Sequence, residues 1–118
     1  MTDIAEFTAS VRQFSEERNW EQFQDPKSLL LALMGEVGEV AELVQWTRED
    51  AVVSEFQSPQ RRERIGDELA DVFIYLVRLA DVLGVDLVAA AQAKLARNSE
   101  RFPTQGPENV VGRLISKE

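Results

Sequence analysis

The sequence predicts an all-α protein, a bundle of four helices, and three observations carry that prediction. Apolar residues recur at helical spacing, a capping residue followed by proline occurs twice, and Gly84 and Pro103 fall where helices should stop. At 118 residues the chain is one domain, able to bury a core but slender enough that a helical bundle would gain much from association.

The first helix should run from about Ile4 to Trp20, with Ile4, Phe7, Val11 and Phe14 on one face. The second begins at Asp25-Pro26, an N-cap acid before a proline at the first helical position, and continues to about Trp46. From Thr47 to Gln57 the pattern breaks down into a loop with room for one helical turn around Val52 to Phe56. Ser58-Pro59 repeats the cap-plus-proline signature and opens a third helix that should reach Leu83, with Gly84 as its C-terminal glycine. Asp86 can cap a fourth, alanine-rich helix from Leu87 to about Arg101, which Pro103 ends. The helical domain thus spans 1–103, and 104–118, with Gly106, Pro107 and Gly112, reads as an irregular C-terminal tail.

The formal net charge of −8 argues against nucleic-acid polymers as partners, because affinity for them comes mainly from lysine and arginine on phosphates. With no cysteine and no histidine, thiolate nucleophiles, thiolate or imidazole zinc sites and histidine bases are excluded by inventory. The segment Met1 to Phe7 carries Asp3 and Glu6 where a signal peptide would be basic and then apolar, and no run has membrane-spanning length, so a cytoplasmic protein is expected.

Four acids stand out. Glu36 and Glu39 are spaced i, i+3 in the second helix, and Glu68 and Asp71 repeat that spacing in the third. Acids at such spacing usually form a solvated stripe, but at roughly 100° per residue Leu29, Ala32, Val40 and Leu43 surround Glu36. Glu39 lies at the margin of that face beside Trp46. Glu68 is ringed by Ile65, Val72, Tyr75 and Leu79, and Asp71 is the only charge in LADVFIYLV. Carboxylates facing a core need protonation, cationic partners or a metal. Arg64 and Arg78 neighbour Asp71 and can neutralise it, whereas the repeat of the pair in two helices favours a metal. Hard oxygen donors suit Mg²⁺, with Mn²⁺ as a substitute, and Mg²⁺ most often carries phosphates.

Trp20, Trp46 and Tyr75 offer a platform for a nucleobase, though ordinary core packing explains each of them singly. Lys94, Asn98 and Arg101 fall at i, i+4, i+7 and align donors on one face of the fourth helix, an arrangement that the helix dipole would also favour. Gly35 and Gly38 do not form a glycine-rich phosphate loop of the Walker type.

These residues make the chain resemble the MazG-like superfamily of all-α nucleoside triphosphate pyrophosphohydrolases, and within it the dCTP pyrophosphatase branch. The likeness runs from the first helix to Pro103. It includes NWEQF at Asn19 to Phe23, LLLALMGEVGEVAEL at Leu29 to Leu43, Gln45-Trp46, DELADVFIYLV at Asp67 to Val77, and Lys94, Asn98 and Arg101-Phe102-Pro103. It implies that Glu36, Glu39, Glu68 and Asp71 bind Mg²⁺ and carry catalysis. Water would attack the α-phosphorus of a (deoxy)nucleoside triphosphate, dCTP or a modified dCTP first, and release monophosphate and pyrophosphate. Trp20, Trp46 and Tyr75 would line the base pocket, Lys94, Asn98 and Arg101 would contact sugar and phosphates, and the chain would assemble as a homodimer or homotetramer with sites between subunits. Many members carry Glu-Glu-x-x-Glu, whose first acid is a proposed base; Gly35 stands there in this chain, so the general base is unassigned. Val11 and Gln24 stand where the vertebrate dCTP pyrophosphatases have histidines. The alternative from another class is a non-catalytic helical oligomerisation or nucleotide-sensing module that keeps the acids for structure.

Overall fold

A computed structural model describes residues 3–104, and the expected irregular tail, beyond Thr104, lies outside the described residues. The described chain is all-helical, with α1 (Ile4–Glu17), a 3₁₀ turn (Glu21–Phe23), α2 (Pro26–Val44), a single-turn α3 (Val52–Glu55), α4 (Pro59–Leu83) and α5 (Leu87–Arg101). The four long helices expected from periodicity are therefore α1, α2, α4 and α5, and α3 is the helical turn expected in the loop.

Local chemistry explains most of the boundaries. Asp3 accepts from the Glu6 amide at 2.8 Å, Asp25 Oδ1 from the Ser28 amide at 2.9 Å, and Asp86 Oδ1 from the Ala89 amide at 3.0 Å, so each satisfies an orphan donor of a first turn. Ser58 holds the extended cap conformation before Pro59, but its hydroxyl makes no capping bond. Helix α1 stops at Glu17, short of Trp20, because Asn19 turns left-handed at φ 56°; the Asn19 amide bonds to the Glu16 carbonyl and the Trp20 amide to the Ser15 carbonyl. Gly84, at φ 73°, closes α4 by the same device. Helix α2 ends at Val44, where the Thr47 amide closes a tight turn on the Val44 carbonyl at 3.0 Å, so Trp46 lies beyond the helix rather than at its end. An L-residue other than Asn or Gly in the left-handed region costs about 1 kcal/mol. Asn19→Ala should therefore lower unfolding stability by about 1 kcal/mol, and Asn19→Gly should not, when both are followed by urea denaturation.

The described residues fall into two compact units, one ending at Val85 and the other, which contains α5, beginning at Asp86. In the first unit α2 packs along α4, and α1 packs against α4 less extensively. Leu29 of α2 and Val77 of α4 are each 2% exposed, and Ala80 of α4 is buried too; Phe56, under the Arg61 guanidinium near the start of α4, is buried as well. Phe7 of α1 stacks on Phe73 of α4 with ring centroids 5.4 Å apart.

A polar network also ties α1 to α4 and to the segment before α2. Arg78, 7% exposed, donates from Nε to Gln24 Oε1 at 2.9 Å and from Nη1 to Asp81 Oδ2 at 3.1 Å. Arg12 grips the same Asp81 with two bonds, of 2.9 and 2.7 Å. The Arg12 hydrogen bond, against the opposing effect of burial, holds the Asp81 carboxyl below its usual range, with the charges of Arg12 and Arg78 adding to it.

Much apolar surface stays uncovered: Leu30, Leu31, Met34 and Val37 of α2, and Leu69, Phe73, Ile74 and Leu76 of α4, are all exposed. Among the described residues, no helix is long and apolar enough to cross a membrane.

Candidate functional site

The i, i+3 spacing of Glu36 and Glu39 places two carboxylates on one face of α2, and the packing of α2 along α4 brings Glu68 to them. One carboxylate oxygen from each of Glu36, Glu39 and Glu68 lies within 4.8 Å of the others. Asp71 stands outside that trio, yet its charge reaches both Glu36 and Glu68.

Electrostatics makes the cluster unfavourable by itself. Burial, then the charges of Glu39 and Asp71, pushes the Glu36 carboxyl above its ordinary value. Glu68 is likewise pushed up, first by burial, then by Glu39 within hydrogen-bonding reach, and further by Asp71 and Glu36. Its Oε1 is buried with no hydrogen-bond partner. The nearest compensation is Arg64, whose Nε stays 3.9 Å from Glu68 Oε2 on a side chain 65% exposed. The arginine pairing considered for Asp71 is not formed: Arg64 turns to Glu68, and Arg78 is engaged by Asp81 and Gln24. Convergent oxygens, an orphaned buried acceptor and mutual repulsion are what a divalent cation relieves, so the donor set fits a hard cation.

A cavity of about 340 Å³ lies in the same unit, lined by Trp20, Phe23, Gln24, Ser28, Leu29, Ala32 and Tyr75. Ala32 is one turn before Glu36 on α2, and Tyr75 one turn after Asp71 on α4, so the cavity continues along the helix faces that carry the acids. One helical turn rises about 5.4 Å, which puts the cavity a nucleoside's length or less from the cluster.

Two of the three expected platform residues, Trp20 and Tyr75, are thus brought together. Trp46 is not among the lining residues; it follows the end of α2 and is 90% exposed. Lys94, Asn98 and Arg101 lie on α5, in the second compact unit, and Arg101 also stacks its guanidinium over Phe102 at 5.3 Å. Periodicity did not single out Phe23 and Ser28 as cavity residues. The available signal was the short stretch between Asn19 and Asp25-Pro26, which must fold back over the start of α2.

Comparison with known proteins places this geometry in a family. Residues 24–105 match the MazG nucleotide pyrophosphohydrolase domain. The chain is 48% identical over 91 residues to the dCTP pyrophosphatase 1 of Homo sapiens, and 47% identical over 91 residues to that of Bos taurus. Each match covers 77% of this chain and 54% of the relative, so the chain spans about half the length of the curated relatives it matches. A crystal structure of a pyrophosphatase from Archaeoglobus fulgidus superposes with a TM-score of 0.80 at 30% identity, over 88% of this chain and 95% of that one. With the domain match covering most of its length and the three convergent carboxylates inside it, this chain belongs to the MazG nucleotide pyrophosphohydrolase family.

Proposed function

We propose that the protein is a Mg²⁺-dependent nucleoside triphosphate pyrophosphohydrolase that converts a (deoxy)nucleoside triphosphate, dCTP or a modified dCTP first, to its monophosphate and pyrophosphate. The observation that carries this reading is the group formed by Glu36, Glu39 and Glu68, three mutually repelling carboxylates beside a cavity with aromatic walls. The names of the dCTP pyrophosphatase relatives support the substrate class.

In this reading Glu36, Glu39, Glu68 and Asp71 would hold the ion, the first three already converging on one point. Bound Mg²⁺, or Mn²⁺ in its place, supplies charge neutralisation for the triphosphate and acidifies water. Trp20 and Tyr75 receive the base in the cavity and keep bulk water from it. Lys94, Asn98 and Arg101 supply donors for sugar and phosphates. The water oxygen bonds to the α-phosphorus as the bond to the α–β bridging oxygen breaks, pyrophosphate leaves with that oxygen, and the proton given up by the water passes to solvent.

The exposed apolar residues of α2 and α4 support assembly as a homodimer or homotetramer. Trp46 would then meet a base across a subunit contact. Light scattering coupled to size exclusion should give a mass at least twice the 13.3 kDa of one chain; a monomer at micromolar concentration would overturn that assembly. The role that fits is house-cleaning of the cytoplasmic nucleotide pool, without nucleic acid polymers or membranes as partners.

The test of function is to incubate the protein with a panel of ribo- and deoxynucleoside triphosphates and Mg²⁺ and to resolve the products. Monophosphate and pyrophosphate are expected, fastest with dCTP or its modified forms. Diphosphate and orthophosphate would refute the pyrophosphohydrolase reading.

A further inference from the structure

Gln24 enters the cavity with its amide already oriented. Amide oxygen and nitrogen are ordinarily interchangeable in position, and only the hydrogen-bond network tells them apart. Here the network leaves one answer, because a guanidinium donates and never accepts. The 2.9 Å bond from Arg78 Nε must therefore end on Gln24 Oε1. Arg78 itself cannot swing away: it is 7% exposed, and Asp81, clamped in turn by Arg12, holds its other arm. Among the described residues no acceptor is bonded to Gln24 Nε2. Phe23, Leu29 and Ala32 give the cavity apolar walls, and Ser28 binds Asp25 with its hydroxyl; beside the Trp20 indole N–H and the Tyr75 hydroxyl, Gln24 offers the donor pair whose orientation a buried guanidinium fixes.

We infer that Gln24 is a specificity-determining residue of this cavity: its Nε2, held by Arg78 as the positioning residue, donates to an acceptor on the nucleobase, a ring nitrogen or a carbonyl oxygen. The inference rests on reading the cavity as the base pocket. A base that turns an amino group or a protonated ring nitrogen toward Gln24 meets two donors face to face and is rejected. Because the guanidinium locks the amide against flipping, the pocket cannot adapt to such a base, as a free glutamine would.

Tryptophan fluorescence tests this apart from hydrolysis, since Trp20 lines the cavity and nucleosides without phosphates, in EDTA, need no cation. The probes are deoxycytidine, thymidine, deoxyadenosine and deoxyguanosine. The wild type should be quenched selectively, and Gln24→Met, which removes the donor, should reduce the ratio of best to worst affinity about tenfold, with the loss on the preferred base. Gln24→Glu keeps an acceptor for Arg78, so it should fold with a near-native melting midpoint while turning an oxygen toward the base and shifting the preference to one that offers a donor. Arg78→Gln frees the Gln24 amide to flip and should flatten the ratio with Gln24 intact. Selectivity kept within twofold in both Gln24 variants, or no quenching of the wild type by any nucleoside, would overturn the inference. Selective quenching that depends on Gln24 in a protein that hydrolyses no triphosphate would uphold it and reject the catalytic reading instead.

Discussion

Glu68→Gln should lose activity by roughly 10²- to 10³-fold, the scale on which single electrostatic contacts act in catalysis, and at the same time make the metal-free protein more stable at neutral pH. The two effects go together because Glu68 is poorly accommodated without a cation. Its side chain is 13% exposed, its Oε1 has no partner, and burial, Glu39, Asp71 and Glu36 all raise its affinity for a proton. A carboxyl whose pKa in the folded protein is raised above the usual 4.5 or so destabilises the fold once pH exceeds that raised value. The penalty fades as pH falls toward 4.5. In EDTA the wild type should accordingly melt at a higher temperature near pH 5 than at pH 7.5 as far as this cluster is concerned, and Glu68→Gln should narrow that difference. Mg²⁺ at about 100 times its dissociation constant should add roughly 2.7 kcal/mol to the wild type at pH 7.5, and much less to the variant. Differential scanning calorimetry with and without Mg²⁺ reads both effects. A variant that melts sharply or loses its assembly would instead mark the acids as structural, the behaviour of a non-catalytic oligomerisation or nucleotide-sensing module.

The second large effect is expected far from the carboxylates, at Asp81. Its side chain is 15% exposed and Arg78's is 8% exposed, so Asp81→Ala strands a buried guanidinium with Gln24 as its remaining partner. Removing one member of a buried pair costs about 3–5 kcal/mol; the residual exposure and the Gln24 bond put Asp81→Ala near the lower end, about 3 kcal/mol by urea denaturation. Arg12→Ala should cost less, because that side chain is 47% exposed and Asp81 keeps Arg78. Asp81 also gives the effect a definite pH window. Its folded pKa lies below the usual 3.8, so the pairing contributes fully above about pH 4 and is lost as pH falls through the lower, folded value. The gap between wild type and Asp81→Ala should therefore close in acid. A constant gap down to pH 2 would contradict the pairing.

These two sites differ in how far they can be read from sequence. The caps at Asp25-Pro26 and Asp86 and the stop at Gly84 are local chemistry, encoded within a few residues, and the structure reproduces them. The carboxylate cluster was visible because the i, i+3 pair recurs within apolar faces, and the packing of α2 on α4 then brings three of the four acids together. Trp46 lies outside this cavity's lining, past the tight turn that ends α2 at Val44, a boundary that periodicity does not mark. Asn19 likewise lies within a helical pattern and ends the helix through a left-handed conformation that asparagine tolerates but does not announce. The Arg78–Gln24 bond joins residues 54 positions apart, and wheel geometry on a single helix could only offer Arg78 to Asp71. Long-range pairing of that kind is decided by tertiary packing.

Hydrolysis of the triphosphate in ¹⁸O-enriched water, followed by ³¹P NMR of the products, tests the central claim most directly. Attack at the α-phosphorus predicts the isotope shift in the nucleoside monophosphate, unlabelled pyrophosphate, and no turnover without a divalent cation. Label in the pyrophosphate or in orthophosphate, or undiminished turnover in EDTA, would contradict it.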